Sequence, residues 1–380
     1  MHERETVVFF AGGGTGGHLY PALALADALA AVRPDVRPLF VGAIRGVEAR
    51  ILPQRGLEHV LLPIRGLDRR AGVLGNLGVV GALGRSMARL ADEFQRRRPE
   101  LVVVTGGYAG APAGLMAALT GVPLALQEQN AFPGVTTRLL ARFASQVHLA
   151  FPEAADLLAP RARRVVEHSG NPVRPPVADR GFGDAASFGL DPDRPTVLVT
   201  GASQGSRALN SAVLELAESG VARPGGYQLL WSTGPSHIDT VTAELERLGN
   251  PAWIRALGYI DDMLAALAVA DVAVGRAGAM TTSEFLAWGL PSIIVPLPTA
   301  AEDHQTRNAA ALAAAGTSVH LPESELDGSR LAAEIGGLME DDARRERMTD
   351  AAIERARPHA AADVARRLAT LLPPGPGGAA

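Results

Sequence analysis

Val7–Val8–Phe9–Phe10–Ala11–Gly12–Gly13–Gly14–Thr15–Gly16–Gly17–His18 runs from an apolar stretch straight into a glycine-rich turn. It reads as a strand, a glycine loop and the start of a helix. Val197–Leu198–Val199–Thr200–Gly201–Ala202–Ser203–Gln204–Gly205–Ser206–Arg207 repeats the unit halfway along the chain. A strand without polar alternation is covered on both faces, as parallel strands are. Apolar runs at 6–10, 39–41, 101–105, 123–126, 146–149, 196–200, 228–232, 272–274 and 292–295 share that character. Helical stretches rich in Ala, Leu and Arg, such as 22–32, 85–97 and 210–217, fall between them. The alternation predicts the α/β class: two doubly wound parallel-sheet domains facing each other across a cleft, strand C-terminal ends inward. The proline-stiffened segment Gly170–Asn171–Pro172–Val173–Arg174–Pro175–Pro176 sets the expected domains at 1–170 and 171–372, and the Pro/Gly/Ala tail 373–380 is expected to be disordered. The last helix of the second domain is a candidate to pack back on the first.

Composition narrows the chemistry. At roughly 150 residues per domain, 380 residues make two or three domains, and 47% apolar against 20% charged residues supply ample core. There is no cysteine, which excludes disulfides, thiolate metal sites and cysteine nucleophiles. There is also no lysine: all 36 basic side chains are Arg, so a Schiff base and a Walker-type phosphate lysine are excluded. Net charge −4 and 4% aromatic residues argue against a nucleic-acid partner. Residues 101–127 carry no charge and are long enough to span a bilayer, but Gly106–Gly107 and Gly121–Val122–Pro123 divide them into strand, turn, helix and strand. The first residues, with Glu3 and Glu5, do not read as a secretory signal.

The loops carry the candidate sites. Gly12-x-Gly14-x-x-Gly17 has dinucleotide spacing, but a nicotinamide enzyme also wants an acid at the end of the second strand. That strand ends Val41–Gly42–Ala43–Ile44–Arg45 and the first acid is Glu48, so this reading is disfavoured. What remains is an anion site made of backbone N–H groups and a helix dipole. Gly106–Gly107–Tyr108–Ala109–Gly110–Ala111–Pro112 follows a strand in the same way, and the Gly201–Ser206 loop adds a hydroxyl and an amide. Most informative is Gly275–Arg276–Ala277–Gly278–Ala279–Met280–Thr281–Thr282–Ser283–Glu284. The N–H groups of Ala279, Met280 and Thr281 can receive a diphosphate. Glu284 either accepts two ribose hydroxyls or is an ordinary acid favouring the dipole. Asp261–Asp262 reads as a helix N-cap, and neither a metal nor a cofactor is expected.

In combination these motifs resemble the MurG family of glycosyltransferases. The resemblance rests on Gly13–Gly14–Thr15–Gly16–Gly17–His18, Gly106–Gly107–Tyr108, Glu128–Gln129–Asn130, Gly170–Asn171–Pro172–Val173–Arg174, Ser203–Gln204–Gly205, residues 276–284, and His304–Gln305 with Asn308, and extends to about residue 372. It implies two Rossmann-like domains of the GT-B type. The implied activity is metal-independent, inverting transfer of N-acetylglucosamine from UDP-N-acetylglucosamine to undecaprenyl-pyrophosphoryl-N-acetylmuramyl-pentapeptide (lipid I), giving lipid II for peptidoglycan. By resemblance, Ile260 meets uracil through its backbone, residues 279–282 hold the diphosphate, Ser283 belongs to the donor set, and Glu284 holds the ribose. Arg174, Ser203 and Gln305 contact phosphate or sugar. Thr15, Gly16, Gly17 and Asn130 reach the N-acetylglucosamine. Gly13, Gly14, Gly106, Gly107 and Tyr108 take the acceptor diphosphate. The chain departs from the family at Gln127, where His is expected, at Thr137, where Asn is expected, and at Ala202, where Gly is expected.

Inverting transfer needs a proton acceptor, and His18 at a helix start is the first candidate, because the dipole keeps an imidazole neutral. Glu128 is the second. Basic residues beside apolar ones at 64–70 and 73–85 have the makeup of an interfacial segment for anionic inner-leaflet lipids, and the resemblance implies a peripheral protein on the cytoplasmic face of the cell membrane. The alternatives are a nicotinamide oxidoreductase, a UDP-N-acetylglucosamine 2-epimerase of the same two-domain fold, and a non-catalytic sugar-nucleotide-binding module.

Overall fold

The structure, a computed structural model, describes residues 5–66, 77–176, 184–220 and 226–375. It divides into two compact units, Met1–Val173 with His359–Ala380, and Arg174–Pro358. The division falls slightly later than the expected boundary: Asn171, Pro172 and Val173 belong to the first unit.

The first unit comprises β1 (Thr6–Gly12), α1 (Gly16–Val32), β2 (Val36–Ala43), α2 (Glu48–Gln54), β3 (His59–Leu62), α3 (Leu77–Arg97), β4 (Leu101–Gly106), α4 (Gly107–Thr120), β5 (Leu124–Glu128), α5 (Val135–Leu140), β6 (Gln146–Leu149) and β7 (Val166–His168). Its sheet is parallel, in the order β3-β2-β1-β4-β5-β6-β7. The apolar runs are explained by two-sided burial. In β1, Phe9 and Ala11 enter one core while Val8 and Phe10 enter another, and in β4 Val102 and Val104 oppose Leu101 and Val103. The charge-free stretch at 101–127 is β4, α4 and most of β5, and among the described residues no helix is long and apolar enough to cross a membrane.

The second unit comprises β8 (Thr196–Thr200), α6 (Arg207–Glu218), β9 (Gln228–Ser232), α7 (Ile238–Arg247), β10 (Ile254–Leu257), α8 (Met263–Ala268), β11 (Val272–Arg276), α9 (Ala279–Ala287), β12 (Ser292–Val295), α10 (His304–Ala314), β13 (Ser318–His320), α11 (Gly328–Met339) and α12 (Asp342–Arg355). Its sheet is again parallel, ordered β10-β9-β8-β11-β12-β13. Val197 and Val199 of β8 face one core and Leu198 the other.

The last helix, α13 (Ala360–Ala369), joins the first unit. Its Val364, Ala365 and Leu368 share a core with Leu19, Ala22 and Ala26 of α1. Polar contacts flank that seam: Gln146 Nε2 donates to the Arg367 carbonyl at 3.0 Å, and Arg367 pairs with Glu167 at 3.2 Å. Beyond it Pro373 is held too, its carbonyl accepting from Arg33 at 3.1 Å, so the tail expected from residue 373 begins as ordered chain. Residues 376–380 lie outside the described residues, as does the part of the expected interfacial segment that falls within 67–76.

Leu368 is fully buried. Replacing it with Ala is expected to cost the first unit about 2–5 kcal/mol. Hydrogen exchange should quicken in β1 and α1 and not in β8 and β11. Unchanged protection in β1 would show that α13 does not hold this core.

Candidate functional site

In the first unit the chain winds outward from the central pair β1 and β4, so their C-terminal ends form the topological switch point where such sheets bind ligands. Two glycine loops meet there. Gly12 lies so close to Thr105 that a Cβ would overlap its hydroxyl, which donates to the His18 carbonyl at 2.7 Å. The His18 ring lies against the second loop: a Cβ on Gly106 would sit 2.8 Å from His18 Cδ2, and one on Gly107 3.1 Å from Nδ1. Both glycines have positive φ, +100° and +72°, which L side chains rarely adopt. His18 is half-buried, and its Nδ1 lies 3.1 Å from the hydroxyl of Thr15, the N-cap residue of α1. Gly16 and Gly17 form the first turn of α1, and Gly107 and Tyr108 that of α4. The Tyr108 ring borders Gly14 and Gly66. Burial, and then the charge of Glu48, hold its phenol above the ordinary value.

Two expected site residues are engaged by the chain itself. Gly14, expected on the acceptor diphosphate, already donates its N–H to both oxygens of Glu48, at 3.0 Å each. Glu128, the second candidate proton acceptor, is buried beneath its own loop. Its oxygens accept from the Thr137 hydroxyl (2.6 Å), the Gly134 N–H (3.1 Å) and the Asn130 N–H (3.2 Å) and Nδ2 (3.3 Å). Burial pushes its pKa up despite these donors. This is the arrangement of a brace that shapes residues 128–137 and so places the half-buried Asn130. A buried amide chain continues it: Gln129 Nε2 donates to the Thr105 carbonyl at 2.7 Å, and Gln127 Nε2 to Asn171 at 3.0 Å.

The second unit repeats the topology, with β8 and β11 as the central pair. Gly278 caps α9, and the N–H groups of Ala279, Met280 and Thr281 lie in its first turn, where they have no acceptor within the helix. Thr282, in the expected diphosphate set, is bonded back into its own helix. Its N–H donates to the Gly278 carbonyl at 3.0 Å, and its hydroxyl turns back to the Gly278 and Ala279 carbonyls at 3.2 Å. Glu284 and Ser283 are half-buried one turn on. Burial raises the Glu284 carboxyl to about 7, opposed by the charge of Arg174. Ile260 buries its side chain in the core, while its backbone N–H and carbonyl have no partner among the described residues. Asp262 caps α8 through Ala265 N, as its position suggests.

Around α9 the loops are clamped. Arg276 is buried and donates to Ser206 Oγ at 2.6 Å and to the Val295 and Pro296 carbonyls at 3.3 Å, with Glu323 as its counter-ion at 2.5 Å. It therefore ties three loops together. Asn308 holds the Ala277 carbonyl at 3.0 Å, and Gln305 accepts from Leu297 N at 2.9 Å. Ser203 and Arg174 are exposed. Thr15, Gly16, Gly17 and Asn130, expected on the donor sugar, lie in the first unit, and the other expected donor residues lie in the second. Among the described residues no group of three His, Asp or Glu could hold a metal. Glu48, Thr105, Arg276 and Glu323 were not singled out by the sequence. Only Glu48 left a local sign, sitting between Gly42, Gly46 and the loop that it reaches.

Comparisons with known proteins follow the same division. The Glycosyltransferase family 28 N-terminal domain matches residues 8–149, and the Glycosyltransferase family 28 C-terminal domain matches residues 196–366. The UDP-N-acetylglucosamine–N-acetylmuramyl-(pentapeptide) pyrophosphoryl-undecaprenol N-acetylglucosamine transferase of Salinibacter ruber is 41% identical, covering 98% of both chains. The enzyme of that name from Moorella thermoacetica is 41% identical over 93% of this chain and 95% of its own. The crystal structure of Acinetobacter baumannii MurG superposes with a TM-score of 0.74 at 27% identity, covering 96% of this chain and 99% of that one. Two doubly wound units, each with its loops gathered at a switch point, thus meet a full-length sequence match: the chain belongs to the MurG family within glycosyltransferase family 28.

Proposed function

We propose that this protein transfers N-acetylglucosamine from UDP-N-acetylglucosamine to the C4 hydroxyl of lipid I, forming lipid II, in a single inverting displacement without a metal. The observation that carries the reading is Glu284. It is a carboxylate half-buried one turn into α9, beside a helix start whose first-turn N–H groups have no acceptor within the helix. A nucleoside diphosphate matches both features at once, its phosphates on the N–H groups and its ribose hydroxyls on the carboxylate. The unpartnered backbone of Ile260 suits the edge of uracil. As the glycosidic bond breaks, the leaving UDP gains charge, which the α9 dipole and Arg174 stabilise in place of a divalent cation.

The acceptor belongs to the first unit. There the first turns of α1 and α4 offer N–H groups to its diphosphate, and His18 takes the proton of the attacking hydroxyl. The contact of Nδ1 with Thr15 fixes the ring, and Nε2 is the nitrogen assigned to the proton. Glu128 positions Asn130 and is not the base. The acceptor is lipid-linked, so the protein works at the cytoplasmic face of the membrane as a peripheral protein. Val80 on the first turn of α3 is 68% exposed and follows the basic stretch, as an anchor to anionic lipid requires. An epimerase would turn over the sugar nucleotide alone, so release of UDP only when lipid I is present tests the whole reading.

Glu284 must be ionised to accept two hydroxyls. Uridine affinity is therefore expected to strengthen as pH rises through about 7, because the site binds only the deprotonated form. Calorimetry with uridine, which has no titrating phosphate, should show this trend in the wild type and a weak, flat profile in Glu284→Gln. A flat wild-type profile would remove Glu284 from the ribose site.

His18→Ala should lower kcat by roughly 10²–10⁴-fold while leaving the UDP dissociation constant unchanged. Wild-type turnover in the purified variant would exclude His18 as the base. Val80→Asp should reduce flotation with anionic liposomes and leave turnover of a water-soluble acceptor analogue intact. Equal flotation would place the membrane contact elsewhere.

A further inference from the structure

One buried carboxylate in the first unit is left over by this reaction. Glu48 begins α2 and has no solvent exposure. Three glycines wall it in: a Cβ on Gly13, Gly42 or Gly46 would overlap its side chain. Its charge is held by backbone alone, accepting from Ala43 N at 2.8 Å and from Gly14 N at 3.0 Å to each oxygen. Backbone N–H groups in a glycine bend are the usual receptor for a bound anion, and here the anion belongs to the protein.

The consequences run directly to the site. The bond from Glu48 fixes Gly14 in the left-handed region, φ +89°. Gly14 in turn presses on the Tyr108 ring, where a Cβ would sit 2.7 Å from Cε1. The next residue is Thr15, the N-cap residue of α1 and partner of His18. A diphosphate seated on Gly14 would have to approach a carboxylate that has no room to withdraw, and like charges at such range repel strongly away from water.

We propose that Glu48 is a positioning residue of the acceptor site. As a built-in anion it occupies the Gly13–Gly14 bend, holds His18 in place through Gly14 and Thr15, and confines the acceptor diphosphate to the N–H groups of Gly16, Gly17, Gly107 and Tyr108. The last clause rests on the reading of the first unit as the acceptor site, and the first two do not.

Two measurements on the full chain separate these parts. The first titrates inorganic pyrophosphate into ¹⁵N-glycine-labelled protein. The amides of Gly16, Gly17 and Gly107 should shift, while Gly14 stays still in the wild type and responds in Glu48→Gln. A wild-type Gly14 shift as large as theirs would overturn the proposal, since Glu48 would then yield to the ligand. Silence of every first-unit glycine would overturn the diphosphate clause along with the acceptor reading. The second is kinetic, with a water-soluble lipid I analogue. Glu48→Gln should lower kcat roughly tenfold or more and displace its pH profile, with the KM for UDP-N-acetylglucosamine within about twofold. Glu48→Asp, which keeps the charge and loses one methylene, should recover part of the rate and serves if the Gln variant does not fold. Wild-type kcat and pH profile in a variant that has only lost thermal stability would overturn the positioning role.

Discussion

The arrangement depends on a constraint of parallel sheets. When a chain winds outward in both directions from two neighbouring strands, the helices that follow them pass to opposite faces, and their first turns flank an open gap. In the first unit this places α1 and α4 after β1 and β4. In the second it places α6 and α9 after β8 and β11. The first-turn N–H groups have no partner within the helix, so each gap is lined with donors before any side chain is chosen. For a chain without lysine this matters, because much of the positive potential available to phosphate must come from backbone. Glycine enters where backbone must meet backbone: a Cβ on Gly205 would overlap the Thr233 carbonyl, and one on Gly234 the Gln204 carbonyl.

Three acids near these gaps show how the surroundings decide what a carboxylate does. Glu48 and Glu128 are both buried, and both have their oxygens filled by donors of the chain itself. Such groups fix loops. The Glu284 carboxylate receives no hydrogen bond from the described residues, and burial raises its pKa to about 7. A desolvated carboxylate without donors is costly unless a ligand supplies them, so hydroxyl groups are its natural complement. The contrast assigns the roles more sharply than position in a motif does, since Glu128 stands in a motif as recognisable as that of Glu284.

How much of this was legible in the sequence follows from burial. The nine strands expected from apolar runs are interior to their sheets. The four that were missed, β3, β7, β10 and β13, are the sheet edges, short and only partly buried. An edge strand is covered on fewer sides and has less reason to be continuously apolar. The start of α1 was legible at His18 from the turn that precedes it, although its first turn, Gly16–Gly17–His18, is written in residues of low helix propensity. The strand-to-helix turns at the glycine loops could be read because glycine clusters at a strand end mark such turns. The Glu48 contact could not, because it joins two loops 34 residues apart and depends on the register of β2 beside β1. Nor does the sequence show that the Thr282 hydroxyl folds back on its own helix.

The three departures from the expected family pattern, two in the first unit and one in the second, each sit in a supported position. Thr137 stands where Asn was expected, and its hydroxyl donates to Glu128 at 2.6 Å, so the brace under the loop is kept by a shorter side chain. Gln127 stands where His was expected. It is buried, donating to Asn171 and lying against the Gln129 amide, which makes it part of the scaffold behind the loops. Ala202 adopts φ +61°, a conformation that costs a side-chain-bearing residue about 1–2 kcal/mol. Its N–H bonds Thr200 Oγ1 at 3.2 Å and its carbonyl accepts from Gly205 N at 3.0 Å, so the turn is over-determined by its neighbours and the strain is carried. At all three positions bonds to neighbouring groups hold the local chain: Gln127 to Asn171, Thr137 to Glu128, and Ala202 to Thr200. Loops that present peptide N–H groups depend on such support, because there the course of the main chain matters more than the identity of the residue beneath it.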